Sequence, residues 1–289
     1  MGTYAVTGSA SGMGSAVVER LRALGHTLIR VDIKDADVTA DLSTPVGRRS
    51  AASAVLTACG GRLDGAVLAA GLGPTPGAER LITEVNYFGV VELLQAWRPA
   101  LAAAGSAKVV VFSSNSTTTI PAVPSRAVRA LLAGDADKAL RSYRIFGRNA
   151  PPMAYGASKI AVSHWVRRNA VTAEWAGAGI RLNAIAPGAI MTPMLQRQLA
   201  TPAEAKHVNE FPVPIGGFGD PQALADWVVF MLSDSADFLC GSIVFVDGGS
   251  DAYFRPDDWP RSLPVWRVPS YLKRTRRFRP FNTNPEGNR

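Results

Sequence analysis

The sequence predicts an α/β fold built on one parallel, doubly wound sheet, and three observations carry that expectation. Short apolar, β-rich runs alternate with segments whose apolar residues recur every three or four positions, Gly or Pro punctuates many of the junctions, and the first run leads directly into a glycine-rich turn. Strand, helix, strand in that rhythm requires crossovers, and right-handed crossovers lay helices over both faces of a parallel sheet. A Rossmann-type single domain follows.

The expected strands are residues 3–7, 27–32, 63–69, 108–113, 180–186 and 242–246, each a short run of apolar or β-branched side chains. The helical pattern falls between them, at 14–24, 45–58, 83–101, 155–176 and 221–232. Two segments break the rhythm. Residues 116–153 are too long for an ordinary strand-to-helix connection and are read as an insertion holding one helix between Pro-rich loops, serving as a lid or as an oligomer contact. Beyond Ser250 the chain is rich in Pro, Trp and Arg without a clear period, and its last dozen residues are expected to be disordered. The body is thus 1–254, followed by a basic extension, 255–289.

With 289 residues, 47% of them apolar, the chain can bury a substantial core. No stretch reaches the roughly 20 apolar residues of a membrane helix, and the N-terminus reads into a strand instead of a signal peptide, so the expectation is a soluble cytoplasmic protein. Cys59 and Cys240 are far apart with no partner at metal-ligand spacing, which supports two buried free thiols and neither a disulfide framework nor a metal site. The net charge of +8 is concentrated: residues 255–289 hold nine basic and three acidic side chains, and the rest of the chain 22 and 20. The body therefore has no basic character that would call for a nucleic-acid partner.

The turn TGSASGMG carries Gly8, Gly12 and Gly14, where a backbone must pass a pyrophosphate and open a helix whose N-terminus offers free N–H groups. Asp32 closes the second strand, placed to accept hydrogen bonds from ribose hydroxyls and to repel a 2′-phosphate, so NAD is expected over NADP. Asp41 and Leu42, in the next turn, are within reach of an adenine. Tyr155 and Lys159 stand one helical turn apart and share a face. An ammonium near a phenol, with the positive nicotinamide of NAD⁺, favours the phenolate and makes Tyr155 a usable base for a hydroxyl proton as hydride leaves the carbinol carbon. Ser114 lies at the carboxyl edge of the sheet, where its hydroxyl can meet a substrate oxygen; Ser113 reads as ordinary turn chemistry. Asn86, inside a helix, is either a kink that holds a water or a solvated helix residue.

In this order the motifs resemble the short-chain dehydrogenase/reductase family over residues 3 to about 250. The resemblance implies a catalytic tetrad of Asn86, Ser114, Tyr155 and Lys159. Ser114 would orient the substrate oxygen, Tyr155 act as acid and base, Lys159 lower the tyrosine pKa and bind ribose, and Asn86 complete a water relay. Cofactor contacts carry over to Gly8, Ser11, Gly12, Met13, Gly14, Asp32, Ile33, Asp41, Leu42, Ala70, Gly71, Tyr155 and Lys159. In the loop PGAIMT they carry over to Pro187, Gly188, Ile190 and Thr192. No metal is implied. Two departures stand out. Ala69-Ala70-Gly71 lacks the asparagines with which the family steadies its central sheet, and Ser114 is 41 residues before Tyr155, far beyond the usual spacing.

That long gap, with AGLGP at 70–74 and DGGSDAYFRP at 247–256, resembles the bacterial 3α-hydroxysteroid dehydrogenase/carbonyl reductase branch, in which the insertion supports a dimer interface. The implied substrate is a hydroxysteroid or similar hydrophobic cyclic alcohol or its ketone. A terpenoid or small secondary alcohol uses the same residues, and a nucleotide sensor or scaffold without turnover is the reading of another class. The loop after Thr192 would select the substrate, with Met191, Met194, Leu195, Leu199 and Phe211 read as an apolar wall or as core. A homo-oligomer, dimer or tetramer, is expected. The basic extension is read as an arm across a partner subunit in preference to a contact with nucleic acid or membrane.

Overall fold

The computed structural model describes residues 1–281, without the side chains of Ala203, Glu204 and His207. The chain begins with β1 (Thr3–Thr7), α1 (Gly12–Ala23), β2 (Thr27–Asp32), β3 (Val38–Thr39), α2 (Pro45–Ala58) and β4 (Gly65–Leu68). After β4 come α3 (Glu79–Thr83), a π-helical turn (Glu84–Phe88), α4 (Gly89–Ala103) and β5 (Lys108–Phe112). The insertion then forms α5 (Ser116–Thr119), α6 (Ser125–Leu132) and α7 (Ala136–Tyr143), and leads into α8 (Ala150–Asn169) and β6 (Arg181–Pro187). Last are α9 (Pro193–Leu199), α10 (Pro202–Glu210), α11 (Pro221–Leu232), β7 (Ile243–Val246), α12 (Ser250–Phe254) and α13 (Val268–Arg277).

Seven parallel strands lie in the order β3-β2-β1-β4-β5-β6-β7. The expected doubly wound sheet is therefore present. Its order reverses between β1 and β4, which opens a crevice at their carboxyl ends, the place where such sheets bind ligands. β4 and β5 are buried at every position, because a central parallel strand is covered on both faces. Even Lys108, at the start of β5, is buried, its ammonium held by Asp234 at 3.0 Å and Asp237 at 2.8 Å.

Alternation along the strands sorts the core into two layers. Ala5, Val109, Val111, Leu182 and Ala184 face the layer filled by α2, α4 and α8. Val6, Val67, Val110 and Ile185 face the layer of α1 and α11. The insertion joins the first layer: Ala127, Leu131 and Ala139 are buried there, and Arg80 bonds Asp137 at 2.6 Å. Its outer face, with Arg126, Arg129 and Ile145, is exposed.

Several expectations need correction. The two-residue β3 is too short to show a period in the sequence. The middle helix is three elements, because the π-turn interrupts it. The helix that carries Tyr155 and Lys159 starts at Ala150 and stops at Asn169, where the Thr172 hydroxyl and N–H both turn back to the Asn169 carbonyl. The insertion holds α5, α6 and α7 where one helix was expected, with α6 and α7 divided at Gly134 (φ +78°) and α7 started by the Asp135 side chain, which accepts from Lys138 N. The extension holds α13 where no period was read; Pro269 falls in its first turn, where proline is tolerated. Cys59 and Cys240 are free but only half-buried. Of the dozen residues expected to be disordered, 282–289 lie outside the described residues, and Phe281 packs on Gly177. No helix among the described residues is long and apolar enough to cross a membrane.

Candidate active site

Every expected site residue lies on or just beyond the carboxyl edge of the sheet, or on a helix that meets it. At the end of β1 the chain turns at Gly8 (φ +68°), whose N–H donates to Val31 O at 2.9 Å. A Cβ on Gly8 would stand 2.6 Å from Ala70 N, and one on Gly14 would stand 2.1 Å from Gly8 O. The turn, the start of α1 and the end of β4 thus pack backbone against backbone. Gly12 (φ +58°) lies under the Thr192 methyl group. Ser11 is the N-cap of α1 and makes no side-chain cap bond, so the first-turn N–H groups, with their partial positive charge, face the crevice. Met13 packs against the α1/α11 layer. This cradle, which no side chain could enter, fits the pyrophosphate of a dinucleotide.

Asp32 has two tasks. One carboxylate oxygen accepts from Ala10 N at 2.9 Å and the other from Ile33 N at 2.7 Å, so the carboxylate pins the glycine-rich turn to the end of β2 while keeping its charge at the rim. Ile33 is exposed beside it, and Asp41 is exposed with one oxygen accepting from Ser43 N. Leu42 differs from expectation: its side chain is buried in the core, so only its backbone can face an adenine.

On α8, Tyr155 and Lys159 share the face turned to β5. Lys159 Nζ is buried, donates to Phe112 O at 2.8 Å and lies 5.9 Å from the centre of the Tyr155 ring. Burial draws the lysine pKa down to about 8. Burial also pushes the Tyr155 phenol up, partly opposed by a hydrogen bond with the Ser114 hydroxyl. The expected lowering of the tyrosine is thus not a property of the chain alone, because desolvation in this corner raises it. Ser114 is buried, and its Oγ also accepts from Ser116 N at 3.1 Å. Ser113 is tied inward to Ser163 Oγ at 2.7 Å, as turn and packing chemistry requires.

Asn86 sits in the π-turn and is fully buried, which removes the solvated reading and leaves the kink. Its Oδ1 accepts from Leu72 N at 2.8 Å, and its Nδ2 donates to Leu72 O at 3.0 Å and to Ser158 Oγ at 3.4 Å. One Oδ1 lone pair is left over. Gly71 is the joint of the site: a Cβ there would stand 3.3 Å from Asn86 Oδ1 and 3.6 Å from Lys159 Nζ. The missing family asparagines are replaced in part by Thr7, whose hydroxyl accepts from Ala70 N at 3.1 Å.

The loop after β6 closes the opposite wall. Gly188 N donates to Val246 O at 3.0 Å, Ile190 bridges to Gly219, and Thr192 caps α9 while covering Gly12. The expected apolar wall divides. Met194 is exposed against Gly73 and Met191 is half-buried, whereas Leu195 is buried and Phe211 packs on Phe254 at 5.7 Å between ring centres.

Sequence reasoning missed Thr7, Ser158 and, above all, Arg48. From α2, buried Arg48 grips Glu92 at 2.7 and 3.1 Å, Glu84 at 3.0 Å and Leu42 O at 3.1 Å. It thereby ties the turn after β3 to the first residue of the π-turn that carries Asn86. The only signal for Thr7 is a polar residue ending a buried strand; for Arg48 there is none, since its partners come from other elements.

Known proteins similar to this chain fall in one group. A family model described as Enoyl-(Acyl carrier protein) reductase matches residues 139–251, from α7 to α12. The chain is similar to 3-alpha-hydroxysteroid dehydrogenase/carbonyl reductase of Comamonas testosteroni, 39% identical over 89% of this chain and 99% of that protein. It is also similar to 2,5-dichloro-2,5-cyclohexadiene-1,4-diol dehydrogenase of Sphingobium indicum, 30% identical over 86% and 97%. Among solved structures, the 3-alpha-hydroxysteroid dehydrogenase of Pseudomonas sp. B-0831 complexed with NADH superimposes with a TM-score of 0.83 at 43% identity, over 89% of this chain and all of that one. With the cradle, the Tyr155–Lys159 turn and full-length relatives of this similarity in hand, the chain belongs to the short-chain dehydrogenase/reductase family.

Proposed function

We propose that the chain is an NAD(H)-dependent dehydrogenase that interconverts a ring-borne, hydrophobic secondary alcohol and its ketone, with a hydroxysteroid as the preferred class. The observation that carries it is the meeting of Asn86 and Lys159 at Gly71, with the Tyr155 ring 5.9 Å from Lys159 Nζ and its phenol bonded to Ser114, beside a cradle fitted to a dinucleotide. The relatives support the class: their names specify a hydroxysteroid and a cyclohexadiene diol, both secondary alcohols on rings, and one relative was solved with NADH. When bound, the dinucleotide supplies or accepts the hydride and, oxidised, adds a positive charge that favours the Tyr155 phenolate.

The remaining work belongs to the protein. The Ser114 hydroxyl orients the substrate oxygen, and Tyr155 Oη takes or returns its proton. Lys159, anchored on Phe112 O, keeps its charge next to the ring and reaches a ribose, while Asn86 holds the Leu72 backbone and offers its spare lone pair to a water relay. Asp32 selects NAD by repelling a 2′-phosphate. Met191 and Met194 shape the substrate side. The exposed outer face of the insertion is read as the contact of a homo-oligomer, and the two unbridged thiols are compatible with the cytoplasm.

Formation of NADH from NAD⁺ across a panel of hydroxysteroids, terpene alcohols and simple secondary alcohols tests the reading. Turnover is expected for ring alcohols, with little from NADP⁺, and Tyr155→Phe should lower it by about 10²- to 10⁴-fold. Activity that survives the substitution would sink the mechanism, and a protein that binds NADH but is silent across the panel would be a sensor.

A further inference from the structure

The C-terminal extension has a surface that catalysis does not use. On α13, Val268, Tyr271, Leu272 and Thr275 fall at helical spacing on one face, and Lys273, Arg274, Arg276 and Arg277 on the other. No residue of this helix is buried. Val265 and Trp266 precede it 85% and 72% exposed, and Phe278 follows it 65% exposed. Between Trp259 and Phe281 there are seven basic side chains and no acidic one. An apolar stripe and a strong positive charge are thus displayed together, with Val268, Tyr271 and Leu272 39%, 56% and 45% exposed among the described residues.

The chemistry of that surface selects its occupant. A second copy of this chain offers little net charge complement, since the body holds 22 basic and 20 acidic side chains. A nucleic acid would match the arginines and stack on the aromatics but would leave Val265, Val268 and Leu272 in water. An anionic bilayer satisfies all three features: aliphatic side chains enter the acyl boundary, Trp and Tyr sit at headgroup level, and the cations meet lipid phosphates.

We propose that the extension docks the protein on an anionic phospholipid surface, with Val268, Tyr271 and Leu272 facing the acyl boundary and Lys273, Arg274, Arg276 and Arg277 facing the headgroups. If the substrate is the apolar ring alcohol proposed above, docking brings the cleft to the phase in which that alcohol concentrates. The docking itself does not depend on that reading.

Co-sedimentation of the full chain with vesicles decides it. The protein should pellet with phosphatidylcholine–phosphatidylglycerol vesicles but not with phosphatidylcholine alone, and added salt should release it. The combined R274Q, R276Q and R277Q variant should bind about a hundredfold more weakly, about fivefold for each cation lost. Leu272→Glu should also release the protein, while NAD⁺ reduction with a water-soluble alcohol stays at the wild-type rate in both variants and vouches for folding. Equal binding to both vesicle types, or none, overturns the proposal. So does a Leu272→Glu variant that still binds vesicles, or wild-type protein that prefers an RNA oligonucleotide to vesicles. An oligomer that dissociates in Leu272→Glu without any lipid dependence would make the extension a subunit arm instead. Vesicle binding by a protein without dehydrogenase activity would leave the docking standing and the activity reading fallen.

Discussion

At the cleft, Asn86 is fully buried and both ends of its carboxamide are held by Leu72, and Lys159 is sealed beneath the ring of Tyr155. In the extension, Trp266 and Tyr271 stand more than half exposed, and α13 buries nothing. Both regions mix polar and apolar side chains, but the first satisfies them within the chain and the second displays them. A buried polar group without a partner costs about 1–3 kcal/mol, so the cleft must be built as one interlocked unit. A solvated cation costs nothing to leave unpaired, so the extension is free to take its partners from outside. Changes in the cleft should therefore be felt throughout the body, and changes in the extension should leave it untouched.

Gly14→Ala should break the contrast most severely, because its Cβ would lie 2.1 Å from the backbone oxygen of Gly8 and neither side can yield. Loss of about 3 kcal/mol or more is expected, together with NADH binding, measured by urea unfolding and fluorescence titration. Arg48→Met comes next, leaving Glu84 without its buried partner. The usual cost of breaking such a pair is about 3–5 kcal/mol, and about 2 kcal/mol is expected here because Glu92 is partly exposed. If Arg48 positions the π-turn, turnover at saturating substrate should fall as well; a stability loss with unchanged kcat would make it purely structural.

Lys159 sharpens the contrast through pH. Its folded pKa of about 8 lies below the ordinary value of 10.5, so between those limits the unfolded chain binds the extra proton and stability rises with pH. The slope is at most about 1.4 kcal/mol per pH unit. Unfolding free energies at successive pH values across that window should show it in the wild type and not in Lys159→Met; parallel slopes would contradict the buried, desolvated ammonium. Leu272→Glu should have the smallest effect, within about 0.5 kcal/mol of the wild type, as for an exposed site. A larger loss would mean that the helix packs on the body after all.

The sequence alone determined the doubly wound sheet, because apolar period and glycine-rich turns are local properties that parallel crossovers translate into one topology. It also singled out Gly8, Gly14, Asp32, Tyr155 and Lys159, whose spacing along the chain is itself the chemical signal, and Ser114 from its place at a strand end. It misread the insertion and the extension, where α7 and α13 are only 8 and 10 residues long and densely charged, too short for their amphipathic spacing to stand out from the surrounding chain. What only the tertiary structure decided are pairings between distant elements: Asn86 with Leu72 and Ser158, Arg48 with Glu84, Glu92 and Leu42, Thr7 with Ala70. It also decided the sign of the Tyr155 shift, since burial is set by everything packed around a group and spacing to one lysine does not report it. The exposure of the α13 apolar face belongs there too: amphipathic spacing says that a face seeks cover, and only the assembled structure shows that, among the described residues, nothing buries it.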